Sequence, residues 1–101
     1  NSVWNKKVSG TETLYKPGTG SYTFAANCQK HLINDLGLIN RGLVKRDNLY
    51  VLNHVKAPVA LVEVGFVSNL EDVTKLTDYN FVAKVAVALE KAINETLGIK
   101  Y

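Results

Sequence analysis

The stretch from Pro58 to Asp72, PVALVEVGFVSNLED, decides the fold that we expect of this chain. Its first part, Val59 to Val64, is an apolar run interrupted by one carboxylate, Glu63. A run without polar alternation is typical of a strand that is covered on both faces, as in the parallel part of an α/β sheet. Asn69 can cap a short helix that continues through Leu76. The stretch therefore predicts a buried strand, a loop and a helix.

The residues upstream predict a further strand and a helix. Gly10 to Tyr15 (GTETLY) is rich in residues that suit a pleated strand, and Lys16 to Gly20 (KPGTG) is a turn built on proline and glycine. Ser21 is expected to cap a helix, because apolar residues follow it at helical spacing. Gly37 is expected to end that helix.

The middle and the end of the chain complete the pattern. Asn40 to Gly42 is expected to form a turn, and Leu49 to Leu52 (LYVL) a second strand. Asp78 can cap a long helix that Gly98 ends. The apolar stripe of this helix contains Val82, Val85, Ala86, Leu89, Ile93 and Leu97. Three helices and about three strands alternate, which indicates an α/β layer structure.

Composition limits the classes of function. The chain has 101 residues, a net charge of +3 and 21% charged residues, and its basic residues are scattered without a dense run. We therefore predict a solvated surface and no nucleic-acid interface. The longest apolar run, Ala57 to Val67, is broken by Pro58, Glu63 and Gly65, so no membrane span is expected. Cys28 is the single cysteine, which excludes an internal disulfide.

Glu63 is the candidate catalytic residue. An ionised carboxylate in a buried strand costs several kcal/mol unless it is paired, protonated or bound to a metal. Ligands collect outside the carboxyl ends of strands in open α/β sheets, and Glu63 lies near such an end. A carboxylate there suits general base catalysis on water. The alternative is that Glu63 pairs with a nearby cation and anchors its strand, and the spacing alone leaves both interpretations open.

Three stretches together resemble a known family. They are GTETLY (Gly10 to Tyr15), NRGLVKRDNLYVL (Asn40 to Leu52) and PVALVEVGFVSNLED (Pro58 to Asp72). The last is the most specific, with a Glu, then Gly-Phe, then Ser-Asn and an acidic residue that opens a helix. The chain is similar to the zinc-dependent N-acetylmuramoyl-L-alanine amidases of bacterial cell-wall hydrolases, autolysins and phage endolysins.

The resemblance implies a fold, a reaction and a location. The fold is α/β, a three-layer type of twisted sheet flanked by helices, and residues 1–101 would be an incomplete C-terminal portion of one such catalytic domain. The reaction is hydrolysis of the amide between N-acetylmuramic acid and the L-alanine of the stem peptide of peptidoglycan. Glu63 occupies the position of the glutamate that helps to activate the attacking water. The expected location is extracellular, in the bacterial cell wall.

The resemblance also implies zinc, held in the family by two histidines and a glutamate. All three ligands are expected upstream of Asn1, so that this chain would supply no metal ligand itself. Asn1-Ser2 resembles the tail of a Ser-Ile-His-x-Asn-like motif that carries the last ligand. We therefore expect the 101-residue chain alone to be inactive and free of zinc. We also expect it to self-associate, or to pair with the missing N-terminal part.

Other polar residues have weaker assignments. Cys28 and His31 are three residues apart on a predicted helix and could share a face, but two ligands are fewer than a zinc site needs. Glu12 is a candidate substrate-binding residue because, by the resemblance, its strand lies near the site. Arg41 is the second candidate, because a guanidinium matches the geometry of a stem-peptide carboxylate. Solvent exposure of Glu12 and a surface role for Arg41 remain open. Ser68 is expected to cap a helix.

A second class of function is a non-catalytic module that binds or scaffolds the cell wall after losing its metal site. A costly glutamate in an apolar strand favours the enzyme, because a retired active site has no need of that carboxylate.

Overall fold

The computed structural model describes residues 9–48, 50–65 and 69–100. Their helices and strands confirm the α/β class, with one helix more than the sequence predicts. In chain order they are β1 (Thr11–Tyr15), α1 (Ser21–Leu36), β2 (Asn40–Lys45), α2 (Tyr50–Asn53), β3 (Leu61–Glu63), α3 (Leu70–Leu76) and α4 (Tyr79–Leu97). Asn1-Ser2 and the loop Phe66 to Ser68 lie outside the described residues.

The sheet has the strand order β2-β1-β3. β1 and β2 are parallel and are joined through α1, whereas β3 runs antiparallel to β1. The prediction of a parallel strand covered on both faces, Val59 to Val64, is therefore wrong. Only three residues of that run join the ladder, and Leu61 keeps 38% of its surface exposed. Among the described strands, β3 pairs only with β1. The apolar run is therefore less enclosed than its composition predicts.

Helix α1 packs on the sheet through small and apolar residues at helical spacing. Ala25, Cys28 and Leu32 are almost completely buried. The buried Gln29 side chain accepts a hydrogen bond from Thr13 Oγ1 at 2.9 Å and donates one to the Thr11 carbonyl oxygen at 2.8 Å. These bonds join the helix to β1, so that α1 covers the sheet face on which Thr13 lies.

The start of α1 differs from the prediction. Gly20, in the left-handed conformation, occupies the cap position, and Ser21 is the first helical residue. The Ser21 hydroxyl instead accepts a hydrogen bond from the Val59 backbone N–H at 3.0 Å. Ser21 therefore ties the segment before β3 to α1. At the other end, Gly37 in the left-handed conformation closes the helix as predicted.

Helix α4 lies antiparallel to α1. Asp78 Oδ1 caps its first turn and Gly98 ends it, as the sequence predicts. Ala88 and Ala92, both fully buried, are its buried residues, and their small side chains allow close packing. Hydrogen bonds join α1 to the C-terminal part of α4, in the pairs Asn27–Thr96, Lys30–Glu95, His31–Glu95 and Asp35–Lys91.

Much of the predicted apolar stripe of α4 is exposed among the described residues. Val82, Ile93 and Leu97 have 48%, 45% and 66% of their surfaces exposed. The alanines beside the stripe take its place against α1, because the two helices approach through their smallest side chains. Val85 and Leu89 of the stripe are half-buried, so the described residues cover it only in part.

Two local predictions in the middle of the chain are also wrong. Asn40 to Gly42 is the beginning of β2 and not a turn. Gly42 has φ of +83° and lies where the register between β1 and β2 shifts. A glycine is suited to this β-bulge-like irregularity within the strand. Residues Tyr50–Asn53 form the short helix α2 where a strand was expected, and Leu49 lies outside the described residues. β2 and β3 occupy the positions on both sides of β1, so residues 50–53 are not needed as a neighbour of β1 in the sheet.

Helix α3 begins as predicted, because Asn69 Oδ1 accepts a hydrogen bond from the Asp72 backbone N–H at 3.0 Å. Among the described residues, no helix combines the length and the apolar character required to cross a lipid bilayer.

Candidate active site

Glu63, Glu12 and Arg41 lie in one row across the three strands. Glu12 of β1 and Glu63 of β3 are direct partners in the antiparallel ladder. On the other side of β1, Arg41 Nε of β2 lies 3.9 Å from Glu12 Oε2. The sheet thus brings together three residues that are far apart in the sequence and that the sequence analysis named as candidates.

The row lies on the sheet face opposite α1. Successive side chains of a strand point to opposite faces, and Thr13 bonds to α1, so its neighbour Glu12 points away from that helix. Direct partners in an antiparallel ladder share a face, so Glu63 accompanies Glu12. The contact with Glu12 places the Arg41 guanidinium on the same face.

The three side chains are only partly shielded from solvent. Glu12 and Arg41 have 17% and 37% of their side-chain surfaces exposed, and Glu63 is half-buried. The expectation that Glu63 lies in a fully buried strand is therefore corrected. At 3.9 Å the Arg41–Glu12 contact is an ion pair and too long for a hydrogen bond.

The site lies at one end of the strands. Glu63 is the last residue of β3, whereas Glu12 and Arg41 are the second residues of β1 and β2. At this end of the sheet β3 finishes, as predicted, and the two parallel strands β1 and β2 begin. The carboxyl end of β3 meets the amino ends of β1 and β2 because β3 runs antiparallel to β1.

Hydrogen bonds fix the strand ends beside the two glutamates. Thr11 Oγ1 donates to the Val64 carbonyl oxygen at 2.7 Å, which joins the residue before Glu12 to the residue after Glu63. Thr11 itself is fully buried. The backbone around both carboxylates is thereby tied from β1 to β3 by a side-chain bond in addition to the ladder.

From the sequence alone, Asp72 is predicted only as an acidic residue at the start of a helix. Its carboxylate accepts hydrogen bonds from Ser9 Oγ at 2.6 Å and from the Gly10 backbone N–H at 3.2 Å. These donors are more than 60 residues away along the chain. The one available signal was its place as the acidic residue that closes the PVALVEVGFVSNLED stretch.

The described residues do not by themselves fit a zinc site, since no group of three or more His, Cys, Asp or Glu side chains among them could hold a metal ion. Cys28 is buried, and burial raises the pKa of its thiol to about 11, which disfavours the thiolate that binds zinc. His31 Nε2 instead lies 2.7 Å from Glu95 Oε1. The weak Cys28–His31 alternative is therefore not supported.

Known proteins resemble this chain over most of its length. The N-acetylmuramoyl-L-alanine amidase LytC of Bacillus subtilis is 34% identical over 84 residues, which cover 80% of this chain and 17% of LytC. A germination-specific N-acetylmuramoyl-L-alanine amidase of the same organism is 31% identical over 97 residues, covering 92% of this chain and 40% of the relative. The chain spans less than half the length of the curated relatives it matches.

Solved structures agree with the fold. The catalytic domain of CwlV, an N-acetylmuramoyl-L-alanine amidase from Bacillus (Paenibacillus) polymyxa var. colistinus, superposes with a TM-score of 0.90 at 33% identity. The superposition covers 99% of this chain and 55% of that domain. The mixed sheet and its flanking helices are thus those of an amidase catalytic domain. The family model described as N-acetylmuramoyl-L-alanine amidase matches residues 1–95, and the chain belongs to this family.

Proposed function

We propose that the protein containing this chain hydrolyses peptidoglycan at the amide between N-acetylmuramic acid and the L-alanine of the stem peptide. Family membership supports the reaction class, and the names of the relatives support the substrate. The observation that carries the proposal is the position of Glu63, a half-buried carboxylate at the end of β3 in the family's most specific stretch of sequence.

Glu63 acts as the general base in this proposal. Its carboxylate accepts a proton from the attacking water and returns that proton to the amine that leaves when the amide bond breaks. Glu63 is half-buried, so its carboxylate is partly withdrawn from solvent and still accessible to a water molecule. A positioned base of this kind contributes about 10²–10⁴-fold to the rate.

Zinc is the proposed cofactor of the complete protein, with its ligands outside the described residues. When bound, zinc would polarise the amide carbonyl and lower the pKa of the attacking water, which amide hydrolysis at neutral pH requires. The described residues supply the proton acceptor and the substrate contacts beside that metal.

Arg41 and Glu12 are the proposed substrate-binding pair. The Arg41 guanidinium, with more than a third of its side chain exposed, presents planar donors that match a carboxylate of the stem peptide. Glu12 lies between Arg41 and Glu63, where its carboxylate can accept hydrogen bonds from peptide N–H groups. The substrate would then run along the row, with its amide at Glu63 and its peptide toward Arg41.

Peptidoglycan is the proposed partner, and the bacterial cell wall outside the membrane is the proposed location. A relative in Bacillus anthracis that is named as a cell wall amidase supports both proposals. In the isolated chain, the apolar residues left exposed on α4 and β3 would drive self-association or pairing with the rest of the amidase domain.

The decisive experiment uses the complete protein, purified with its metal, and insoluble peptidoglycan as the substrate. Hydrolysis at the proposed bond releases stem peptides with a free L-alanine amino group and leaves the glycan strands intact, which mass spectrometry distinguishes from glycosidase or endopeptidase products. Binding to peptidoglycan without any release would instead support the non-catalytic wall-binding module and refute the proposed hydrolysis.

A further inference from the structure

We propose that Asp72 is a positioning residue that holds the Glu63 carboxylate in register with Glu12, an inference that rests on the function proposed for Glu63. Asp72 does not touch the row itself. Asp72 acts through two backbone segments, the one that precedes Glu12 and the one that follows Glu63.

The Asp72 carboxylate is buried and bonded to the start of β1. Only 4% of the residue's surface is exposed. Oδ1 accepts from Ser9 Oγ at 2.6 Å, and Oδ2 accepts from the Gly10 backbone N–H at 3.2 Å. Two hydrogen bonds to one buried side chain fix the chain two and three residues before Glu12.

Asp72 does more than start α3. Its backbone N–H donates to Asn69 Oδ1, which caps the helix. Its carboxylate also reaches across to Ser9 and Gly10, on the segment that leads into β1.

The same side chain contacts the segment that follows Glu63. A Cβ atom placed on Gly65 would lie 3.2 Å from Asp72 Cβ and 3.3 Å from Asp72 Oδ2. The backbone two residues after Glu63 thus passes directly against Asp72, and glycine permits that approach. One side chain therefore touches the segment before Glu12 and the segment after Glu63.

Thr11 completes the connection. Its hydroxyl donates to the Val64 carbonyl oxygen at 2.7 Å, between the two segments that Asp72 contacts. The Asp72 contacts and the Thr11 bond lie on the same side of the Glu12–Glu63 pair. Because a misplacement of about 1 Å can reduce a rate about 10²-fold, loosening these ties would lower turnover without removing a group that touches substrate.

The test measures turnover of soluble muramoyl peptides by the complete, zinc-loaded protein at a temperature where circular dichroism shows each variant to be folded. Asp72→Ala is expected to lower kcat about 10- to 100-fold, with KM and zinc content within about twofold of wild type. Asp72→Asn should recover most of the rate, because its amide oxygen still accepts from the Gly10 N–H and its NH₂ group can donate to Ser9 Oγ. Thr11→Val should lower kcat in the same way.

Asp78→Ala is the matched control. It also removes an aspartate that accepts two hydrogen bonds, but both donors, Asn80 N–H and Phe81 N–H, belong to the helix that Asp78 itself caps. It is expected to lower the melting temperature and leave kcat unchanged. The Asp72→Ala, Thr11→Val double variant should lose less than the product of the single effects, since both changes loosen one connection.

An Asp72→Ala protein with normal kcat per folded molecule would overturn the positioning role, as would equal losses of kcat in Asp72→Ala and Asp78→Ala. If the wild-type protein has no amidase turnover, the proposed function fails, and amide hydrogen exchange then tests the connection separately. Faster exchange in residues 10–15 and 61–65 of Asp72→Ala than of Asp78→Ala supports it. Equal exchange in the two variants refutes it.

Discussion

Glu12 and Glu63 are direct partners across the antiparallel ladder of β1 and β3, so two carboxylates face each other on one side of the sheet. Like charges placed directly opposite destabilise a sheet. Arg41, 3.9 Å from Glu12, offsets part of this repulsion. A local arrangement that opposes stability is characteristic of a functional site, which is why the pair supports the catalytic assignment beyond the resemblance in sequence.

Glu63→Gln in the complete protein should retain zinc and the fold while losing about 10²–10⁴-fold of the activity. The amide has nearly the shape of the carboxylate but cannot accept the proton from water. Stability should stay level or rise by up to about 1 kcal/mol, because the charge opposite Glu12 disappears. Melting temperature, metal content and peptide release are measured on one preparation.

Glu71→Gln is the control for this change. Its side chain is 77% exposed on α3 and forms a surface ion pair with Lys75, so stability and rate should both stay close to wild type. A metal-loaded Glu63→Gln protein with near-normal turnover would exclude Glu63 as the base. A loss of stability with the rate intact would identify Glu63 as a structural anchor.

Arg41→Gln should raise KM about tenfold or more while changing kcat little, because a charge-assisted bond to a substrate carboxylate contributes about 1.5–3 kcal/mol. Arg41→Lys should restore only part of the affinity, since an ammonium cannot form the paired bonds of a guanidinium. Arg46→Gln, an exposed residue after the other end of β2, is the control. An unchanged KM in Arg41→Gln, measured with soluble muramoyl peptides, would rule out the substrate contact.

Gly10→Ala should destabilise the protein more than Gly18→Ala. Both glycines have positive φ, +111° and +102°, so each substitution carries a backbone penalty of about 1–2 kcal/mol. A Cβ on Gly10 would also lie 2.5 Å from the Ile39 carbonyl oxygen, whereas nothing lies within 4 Å of one on Gly18. Urea unfolding of the two variants checks the difference, and equal losses of stability would contradict the close approach.

The parts of the fold that short-range chemistry determines could be predicted from the sequence. Asn69 and Asp78 cap their helices, and Gly37 and Gly98 end theirs, because each bond joins residues within a few positions of one another. The strand Gly10 to Tyr15 was predicted within one residue of β1. Glu63, Glu12 and Arg41 could be nominated because a charge in or beside an apolar strand is visible in the sequence.

Long-range pairing could not be predicted in the same way. Gly42 suggested a turn, because the sequence does not reveal that β1 would pair along Asn40–Lys45 and tolerate a shift of register there. The antiparallel direction of β3, which brings Glu63 to Glu12, depends on the path of the whole chain between them. The contacts of the Asp72 carboxylate could not be predicted for the same reason, since its partners are 62 and 63 residues away.

Acid should weaken the connection between α1 and α4 at Glu95. Hydrogen bonds from Lys30 and then from His31 hold the pKa of the Glu95 carboxyl below its usual range. A depressed folded-state pKa contributes stability that is present above the unfolded-state pKa, about 4.3, and is lost as the pH falls through the folded-state value. The melting-temperature difference between wild type and Glu95→Gln should therefore be positive at pH 7 and shrink below about pH 4.

A Lys30→Gln background provides the control for Glu95, because the first cause of the shift is then absent. In that background, the Glu95→Gln substitution should change the melting temperature at pH 7 by less than it does in the wild-type protein. A melting-temperature difference that stays constant from pH 7 to pH 3 would contradict the linkage.

The 101-residue chain, purified alone, should bind no stoichiometric zinc and release no peptide from peptidoglycan, because no group of three metal-binding side chains exists among the residues described. It should also self-associate at micromolar concentration. Exposed apolar residues that favour association include Ile39, Leu61, Val82, Val87, Ile93 and Leu97. Stoichiometric zinc with turnover, or sedimentation as a stable monomer, would contradict these expectations.

The packing of α4 against α1 has a consequence for the order of folding. Residues 27–35 of α1 bond to residues 91–96 of α4, across sequence separations of 56 to 69 residues. Contacts between distant segments form late, because the intervening chain must first be brought into a closed loop. During synthesis, the outer side of α1 would stay uncovered until residues 79–97 had left the ribosome. A chaperone that holds α1 in that interval would raise the yield of soluble protein without altering the finished structure.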